Sequence, residues 1–366
     1  MTASILSDSL VSPLGIGSET NFNAIREGLS AIKRIEDVTL SPVPFYGAQL
    51  SHPEGDDTLT RFERLSVLSI KNALQKNSAQ FDFSKTIFIL ATTKGNIELL
   101  ERRDKSNPAL LLHTAADRIA KHVGVDKSTV VSNACTSGVM AVILAKKILA
   151  ERNFNHAIVT GTDVLSRFVV SGFQSLHALS DEPCKPFDAD RRGLNLGEAS
   201  ATVILSSVHK SPYTVSGSAT TNDANHISGP SRTGEELSMA VKKALANAQL
   251  TNTDIDFISA HGTATLYNDE MEAKAFNHAG MGHIPVNSLK GYFGHTLGAA
   301  GLVEIVMSLQ SLKQNELLAT KGFNKPGVSL SLNVIARPEQ RPLKTFLKTA
   351  SGFGGCNATI IIKKEL

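Results

Sequence analysis

Apolar, β-branched runs alternate with amphipathic segments along this chain. The run at 86–91 is almost uninterrupted and of strand length, which is typical of a strand in a sheet covered on both faces. The runs at 157–161 and 199–205 have the same character, and helical spacing predicts amphipathic helices over 19–28 and 60–76. Prolines and glycines interrupt residues 32–58, which are therefore expected to be irregular. The pattern predicts an α/β protein built on a buried sheet.

One junction combines a strand, a tight turn and a helix. The β-branched residues before Ser132 predict a buried strand, small residues follow, and an apolar segment with helical spacing runs to Leu144. Cys135 falls where the strand gives way to the helix, so its sulfur is expected to face unsatisfied N–H groups. Those amides and the helix dipole would lower the pKa of the thiol and make it a nucleophile. The alternative is an inert, buried structural cysteine.

The second half of the sequence resembles the first. The small-then-apolar pattern that begins at Cys135 returns at Gly298, and the strand at 201–205 returns at 358–362. The run at 88–91 returns at 257–260, in the same order and at nearly constant separation. Each likeness alone has a chance explanation, but together they favour a duplicated α/β unit. We predict two halves, residues 1–207 and 208–366.

Composition limits the classes of function. A chain of 366 residues with 42% hydrophobic and 19% charged residues is long enough for two lobes with a large core. A net charge of +3 without a basic, aromatic-rich cluster argues against nucleic-acid binding and is compatible with an acidic protein partner. Three cysteines without CxxC spacing favour neither disulfides nor a zinc site. No signal peptide or membrane span is recognised, so a cytoplasmic protein is expected.

Three further segments hold chemistry-bearing residues in glycine-rich loops. His261 ends an apolar strand and precedes a Gly/Thr loop, and Lys290 and His295 come just before the repeated helix. Glycines flank Phe353 and would let the backbone approach a ligand closely. A lone histidine is more often a packing or surface residue than a catalyst. Two histidines in such loops, together with Cys135, are harder to explain as packing.

These four blocks, in this order, resemble the β-ketoacyl-(acyl carrier protein) synthases, specifically the elongating Cys-His-His branch of the thiolase-like superfamily. The resemblance covers nearly the whole chain and includes residues 186–193, followed by Gly197 and Glu198. His295 distinguishes the chain from the initiating Cys-His-Asn branch and from thiolases. The resemblance implies a thiolase-like fold, in which two duplicated halves form a layered αβαβα core.

The family resemblance also implies a role for each residue. Cys135 would accept the acyl chain as a thioester, and its N–H and that of Phe353 would form the oxyanion hole. His261 and His295 would stabilise the enolate formed by decarboxylation of the malonyl thioester. The resemblance further implies that Lys290 and Glu304 form a structural ion pair. Thr263 and Thr265 would contact the phosphopantetheine arm, and Phe353 would be the gate at the acyl pocket.

The resemblance implies no metal and no bound cofactor, because phosphopantetheine arrives on the carrier protein. It implies an acyl carrier protein as partner and a homodimer, or a heterodimer with a Cys-lacking chain-length-factor relative. Arg61 and Arg64 are candidate docking residues for an acidic carrier protein, with a solvated helix face as the alternative. Ser351 stands where the family usually has a second Phe, and Leu266 replaces a common Pro. The segment 107–124 is short, so chain-length preference does not transfer.

Three functions therefore compete. The first is a complete elongating synthase, making a 3-oxoacyl-(acyl carrier protein) by decarboxylative Claisen condensation in fatty-acid, polyene or polyketide synthesis. The second is a catalytic subunit that is active only beside a chain-length-factor relative. The third is a non-catalytic scaffold or carrier-binding protein of the same fold, which the joint presence of Cys135, His261, His295 and Lys290 argues against.

Overall fold

The main sheet of the described residues has 12 strands, with helices on its outer faces and two helices packed between its halves. Two smaller sheets have two and three strands. The structure is a computed structural model that describes residues 3–51, 56–76, 81–101 and 106–365. The strands are β1 Ala3–Ser12, β2 Gly15–Ile16, β3 Lys33–Ile35, β4 Phe45–Ala48, β5 Thr86–Ala91, β6 Lys127–Val131, β7 His156–Asp163, β8 Leu196–Gly197, β9 Ala199–Ser206, β10 Tyr213–Asn222, β11 Phe257–Ser259, β12 Pro285–Asn287, β13 Glu316–Leu317, β14 Asn333–Val334, β15 Glu339–Gln340, β16 Thr345–Gly352 and β17 Cys356–Lys364.

Ten α-helices lie within the described ranges. They are α1 Ser18–Arg26, α2 Arg61–Gln75, α3 Glu98–Glu101, α4 Leu112–His122, α5 Ser137–Ala150, α6 Arg167–Ser175, α7 Glu235–Ala248, α8 Leu266–His278, α9 Lys290–Phe293 and α10 Ala300–Gln314. The predicted helix over 60–76 matches α2, whose N-cap Thr60 forms a capping box with Glu63. None of the helices described is both long and apolar enough to cross a membrane.

The strand order confirms the duplication predicted from the sequence. The first half runs β1-β9-β7-β5-β6 and the second runs β10-β17-β16-β11-β12. In each half the first three strands pair antiparallel and the last three pair parallel. The two halves meet where β1 pairs antiparallel with β10. Each of the three sequence likenesses joins elements that are equivalent in this topology. The predicted division between residues 207 and 208 lies between β9 and β10.

The two central helices explain the small residues of the repeated pattern. Helices α5 and α10 pack against each other and against strands of both halves. A Cβ on Gly138 would lie 2.8 Å from the backbone N of Leu302, and one on Gly301 would lie 2.7 Å from a methyl of Val139. Only glycine permits this approach. Helices α2 and α4 cover one half-sheet, and α7 covers the other. With α5 and α10 between the two half-sheets, the order of layers is αβαβα.

Two expectations about local structure are wrong. The segment 32–58, of which residues 52–55 lie outside the described ranges, contains strands β3 and β4, which pair with each other. Such short strands give too little periodicity to detect. The strand before Cys135 is partly exposed, not buried. It is β6, at the end of the sheet, and periodicity cannot distinguish an edge strand from a central one.

Candidate active site

A strained turn presents Cys135 at the junction of β6 and α5. Ala134 has a positive φ of 44°, which is unusual for a residue with a side chain. The Ser137 hydroxyl stabilises the turn by donating to the Ala134 carbonyl (2.6 Å) and accepting from the Asn133 N–H (2.8 Å). Leu297, the equivalent position in the second half, also has a positive φ, of 51°. The repeat therefore builds two similar turns, and Cys135 and His295 lie close to them.

The expected depression of the Cys135 pKa is wrong. Burial raises the pKa of the thiol to about 11, and the nearby Lys290 ammonium offsets only part of that effect. The residue is 9% exposed, so the thiolate would lose most of its hydration. Sequence alone places a cysteine next to a helix but does not report its depth. The resting group is consequently a neutral thiol, and a neighbour must stabilise the charge that forms during reaction.

His295 is that neighbour. Its Nε2 lies 3.1 Å from the Cys135 Sγ, and its Nδ1 accepts a hydrogen bond from the Leu297 N–H at 3.1 Å. A neutral imidazole has one N–H, so an accepting Nδ1 leaves the proton on Nε2. Burial, followed by Lys290 and Lys348, holds the pKa of His295 well below its ordinary value, which keeps the ring neutral. His295 therefore presents an N–H donor to the sulfur.

His261 is fixed in the same tautomer by a different contact. The Lys290 Nζ lies 3.3 Å from its Nδ1, and an ammonium group can only donate. The proton of the neutral ring is therefore on Nε2, and burial followed by Lys290 holds the pKa of His261 well below its ordinary value. The rings of His261 and His295 are 5.2 Å apart, edge to face. Two neutral imidazoles thus offer N–H donors beside one thiol.

The predicted pair of Lys290 and Glu304 is present and buried, with 2.6 Å between Nζ and Oε1. Lys290 also donates to the His261 carbonyl. Thr263 and Thr265 lie in the loop after His261, and their hydroxyls are 2.8 Å apart. Phe353 is 42% exposed at the mouth of the site, where its ring stacks against Phe173 with 6.1 Å between centroids.

Sequence reasoning missed two buried ionic residues near His261. The carboxylate of Glu272 accepts hydrogen bonds from the N–H groups of His261 (2.8 Å) and Gly262 (2.6 Å). The Lys348 Nζ lies 2.6 Å from the second oxygen of Glu304. The sequence gives only a weak indication of a role for Glu272, namely its position after Asn268 and Asp269 on the helix that follows the loop. Lys348 gave a clearer one, because it interrupts an apolar strand.

A cavity of about 500 Å³ joins the predicted residues. It is lined by Cys135, His261, Thr263, Thr265, His295, Ser351 and Phe353, whereas Lys290 and Glu304 lie behind the histidines. A Cβ on Gly352 would lie 3.1 Å from the Cys135 backbone N, so the glycine lets the gate segment approach the cysteine closely. The site thus has a thiol, two N–H donors and a cavity in front of them.

The same three residues have the donor types of a metal site. One ligand atom each of Cys135, His261 and His295 lies within 4.8 Å of the others. The tautomers do not fit metal binding, because each Nδ1 faces a donor and each Nε2 bears a proton. The arrangement is suited to hydrogen-bond donation.

The expectation that Arg61 contributes to a docking surface is wrong, because the residue is buried. Arg61 is 6% exposed, and its guanidinium forms an ion pair with the buried carboxylate of Glu198. Glu198 also accepts from the N–H groups of Leu50 and Leu165, both at 2.7 Å. Arg61 is therefore a structural residue and not part of a docking rim. Arg64 is partly exposed and lies 3.3 Å from the exposed Asp57.

Comparison with known families identifies the family to which the chain belongs. The N-terminal domain model of the β-ketoacyl synthases matches residues 52–211, and the C-terminal domain model matches residues 213–324. The chain belongs to the β-ketoacyl synthase family. The Cys-His-His cluster and the 3-oxoacyl-synthase relatives confirm the branch predicted from the sequence.

This β-ketoacyl synthase is similar to synthases of fatty-acid and polyketide systems. A 3-oxoacyl-[acyl-carrier-protein] synthase 2 from Rhizobium meliloti (strain 1021) is 27% identical and matches 98% of each chain. The tetracenomycin polyketide synthase ketoacyl synthase alpha subunit of Streptomyces glaucescens is 32% identical over 64% of this chain and 60% of its own. A ketosynthase from Xenorhabdus doucetiae, solved in complex with its chain length factor, has the same fold (TM-score 0.88, 24% identity, 99% and 98% of the two chains). The fold class and the acyltransferase class of enzyme predicted from the sequence are thereby confirmed.

Proposed function

We propose that this protein condenses an acyl-(acyl carrier protein) with malonyl-(acyl carrier protein) to give a 3-oxoacyl-(acyl carrier protein), carbon dioxide and free carrier protein. The observation that supports this best is the placement of two Nε2–H donors and one thiol on the same cavity. Decarboxylation of a malonyl thioester creates an enolate, and fixed neutral donors bind that oxygen more strongly as its charge grows.

In the first half-reaction, Cys135 attacks the acyl thioester. A bond forms between its Sγ and the acyl carbon, and the carrier thiol leaves with the proton that the cysteine loses. Because burial raises the pKa of the thiol, the developing thiolate needs stabilisation. His295 supplies it through the N–H that faces Sγ. The N–H groups of Cys135 and Phe353 are proposed as the oxyanion hole for the acyl oxygen.

In the second half-reaction, the bond between the malonyl α-carbon and its carboxylate breaks, and carbon dioxide leaves. The electron pair becomes the enolate, which His261 and His295 stabilise together. The α-carbon then attacks the acyl-Cys135 carbonyl, a carbon–carbon bond forms, and the cysteine leaves and regains a proton. No cofactor of this chain takes part in either half. The proposed role of Thr263 and Thr265 is to hold the phosphopantetheine arm, whose amides match their hydroxyls.

The proposed assembly is a homodimer. The first half-sheet ends at β6, whose residues are partly exposed, whereas β14 covers the equivalent strand β12 in the second half. Within the described residues no strand pairs with the outer edge of β6. An unpaired edge strand with a β-branched run is a template for pairing with another chain. The cytoplasmic location expected from the sequence stays a prediction.

A second candidate keeps the same chemistry but requires a different partner. The solved ketosynthase from Xenorhabdus doucetiae is in complex with its chain length factor. A heterodimer of this kind would use the same β6 edge, with the relative supplying part of the acyl pocket. That pocket is partly bounded here by the small Ser351.

One experiment tests the function and separates the two assemblies. The purified chain alone is incubated with acyl- and malonyl-loaded carrier proteins, and the products are identified by mass spectrometry of the carrier-bound chains. A 3-oxoacyl product that is absent with Cys135→Ala supports the complete homodimeric synthase. Product only after co-expression with a chain-length-factor relative supports the heterodimer. No product under either condition would contradict the proposed function.

A further inference from the structure

Lys348 lies where a charged side chain is least expected. It is in the middle of strand β16, which pairs with neighbours on both sides, and its exposure is 0%. The flanking residues Leu347 and Thr349 are also buried. A lysine in such a place needs partners for its charge and for its three N–H groups, because an unpaired buried ammonium is strongly destabilising.

Three oxygen atoms surround the Lys348 ammonium. The Nζ donates to the backbone carbonyls of Ser259 (3.1 Å) and Ala260 (2.9 Å), and it lies 2.6 Å from Glu304 Oε2. The contact with Glu304 lacks the angles of a hydrogen bond and is best described as an ion pair, since that oxygen has no aligned donor among the described residues. Two carbonyls and a carboxylate are the ligands that bind a monovalent cation. Here the ammonium group of the Lys348 side chain takes the place of that cation.

Both kinds of partner of Lys348, the two backbone carbonyls and Glu304, are connected to His261. Ser259 and Ala260 immediately precede His261 in the chain. The other oxygen of Glu304 binds Lys290, which in turn contacts the carbonyl and Nδ1 of His261. Lys348 therefore touches neither the cavity nor the imidazole, but it holds the backbone and the ion pair that position the ring.

Lys348 balances part of the negative charge near His261. Lys290 and Lys348 supply two positive charges from α9 and β16, and Glu272 and Glu304 supply two negative charges from α8 and α10. His295 and the Cys135 thiol also face the ring. The nearby buried carboxylates have partners of their own: Asp163 accepts from Thr92 and from the Gly298 N–H, and Asp269 lies 3.7 Å from Arg191. Lys348 helps to hold the pKa values of both imidazoles low, after burial and Lys290 for His295, and after burial, Lys290 and His295 for His261. Without Lys348, two carboxylates would face one ammonium, and both imidazoles would bind a proton more readily.

We infer that Lys348 is a positioning residue whose ammonium acts as a tethered monovalent cation, fixing Glu304 and the backbone before His261 so that the imidazole donates into the cavity. This inference rests on the proposed decarboxylation, in which a neutral His261 is one of the two donors.

Three variants test it on a Cys135→Gln background, where malonyl decarboxylation is measured without condensation. Lys348→Met keeps the length of the side chain and removes its charge. Lys348→Ala removes the chain and opens a space lined by the three oxygens. Lys146→Met is the matched control, because the Lys146 Nζ also donates to a carbonyl, that of Ser216 at 2.9 Å, but Lys146 is not among the groups that shift the pKa of either histidine. Circular dichroism checks that each variant is folded.

We expect Lys348→Met to lower the rate of decarboxylation about 10- to 100-fold, the scale of a misplaced catalytic group. The acid side of its pH–rate profile should also move to higher pH, because the histidines protonate sooner. Ammonium chloride or potassium chloride should restore part of the rate of Lys348→Ala, whereas choline chloride, whose cation is too large, should not. Lys146→Met should behave like the parent.

An unchanged rate and pH profile in folded Lys348→Met would overturn the inference. Loss of fold in both Lys348 variants that ammonium does not reverse would overturn it too, since the lysine would then serve packing alone. NMR titration of the ¹⁵N-labelled histidines separates this result from a failure of the proposed function. If the parent does not decarboxylate malonyl thioesters, the proposed function fails, but an upward shift of the histidine pKa values in Lys348→Met still supports the role of Lys348.

Discussion

At the scale of single residues, the chemistry depends on burial. Cys135, His261 and His295 lie within 4.8 Å of one another. Burial raises the pKa of the thiol and lowers the pKa values of both imidazoles, so all three groups are neutral at rest.

The raised pKa of Cys135 predicts an alkaline reactivity profile. Below a pKa of about 11 the thiolate fraction grows about tenfold per pH unit, so the rate of alkylation by iodoacetamide should still be rising between pH 9 and pH 10. A short peptide with blocked termini and one cysteine, whose pKa is about 8.5, should approach its plateau over that range. Peptide mapping assigns the label to Cys135. A plateau below pH 8 would show that the turn stabilises the thiolate after all.

The two histidines should share the stabilisation of the enolate. His261→Ala and His295→Ala, each combined with Cys135→Gln, should lower malonyl decarboxylation by about 10²- to 10³-fold, the usual effect of losing one oxyanion donor. Cys135→Gln alone should still decarboxylate, because both donors remain. The measurement is carbon dioxide release from malonyl-(acyl carrier protein). Normal rates in both histidine variants would place enolate stabilisation elsewhere.

Motif and spacing predict the reacting groups Cys135, His261 and His295 but not their protonation. The pKa of the thiol is raised, against the expectation from sequence, because burial has the largest effect on it. The sequence does not indicate the roles of Glu272 and Lys348, because these depend on contacts between β11, β16, α8 and α10, which are distant in sequence.

At the scale of elements, the sequence predicted the repeat, the long strands and the main helices, since each has clear periodicity or a cap. It did not predict the short pair β3 and β4 or the exposure of β6. These depend on which strands become neighbours, and that is decided by the assembled sheet. The sequence predicts the gate segment between β16 and β17 only in part. Its glycines were recognised, and the structure adds that Ser351 is buried, lines the cavity and donates to the Asn357 side chain at 2.7 Å.

Ser351→Phe should shorten the preferred acyl chain, because the new ring would occupy part of the cavity. Each buried methylene contributes about 0.8 kcal/mol, so selectivity between neighbouring chain lengths should change only a few-fold. Ser351→Ala is the control, since it removes the hydrogen bond without filling space. The acylation rates of a series of acyl-(acyl carrier protein) substrates give the profile. A profile indifferent to Ser351→Phe would mean that another surface bounds the pocket, with the partner subunit as the first candidate.

At the scale of the whole molecule, buried polar contacts join segments that are far apart in sequence. The pair of Arg61 and Glu198 links α2 to the segments of Leu50 and Leu165. An arginine on a predicted amphipathic helix gives no sign of such a role, because one face of the helix is expected to be solvated. The sequence position of Arg61 therefore predicts a docking residue, and its burial shows that this prediction is wrong.

Arg61→Ala should destabilise the protein far more than Arg64→Ala. Removing Arg61 leaves the carboxylate of Glu198 buried without its cation, which costs about 3–5 kcal/mol. Arg64 pairs with an exposed aspartate, and such pairs contribute only about 0–1 kcal/mol. Urea unfolding of both variants gives the free energies. Equal losses would contradict the structural role of the Arg61 pair.

The most direct test of the proposed mechanism is to identify the residue that becomes acylated. The protein is incubated with an acyl-(acyl carrier protein), digested and mapped by mass spectrometry, with Cys135→Gln treated in parallel. We predict one acyl group per chain, on Cys135, that is lost when malonyl-(acyl carrier protein) is added and reappears as a 3-oxoacyl product. The acyl group should be absent from the variant. Acylation of Cys184 or Cys356 with Cys135 unmodified, or condensation by Cys135→Gln, would contradict the proposed mechanism.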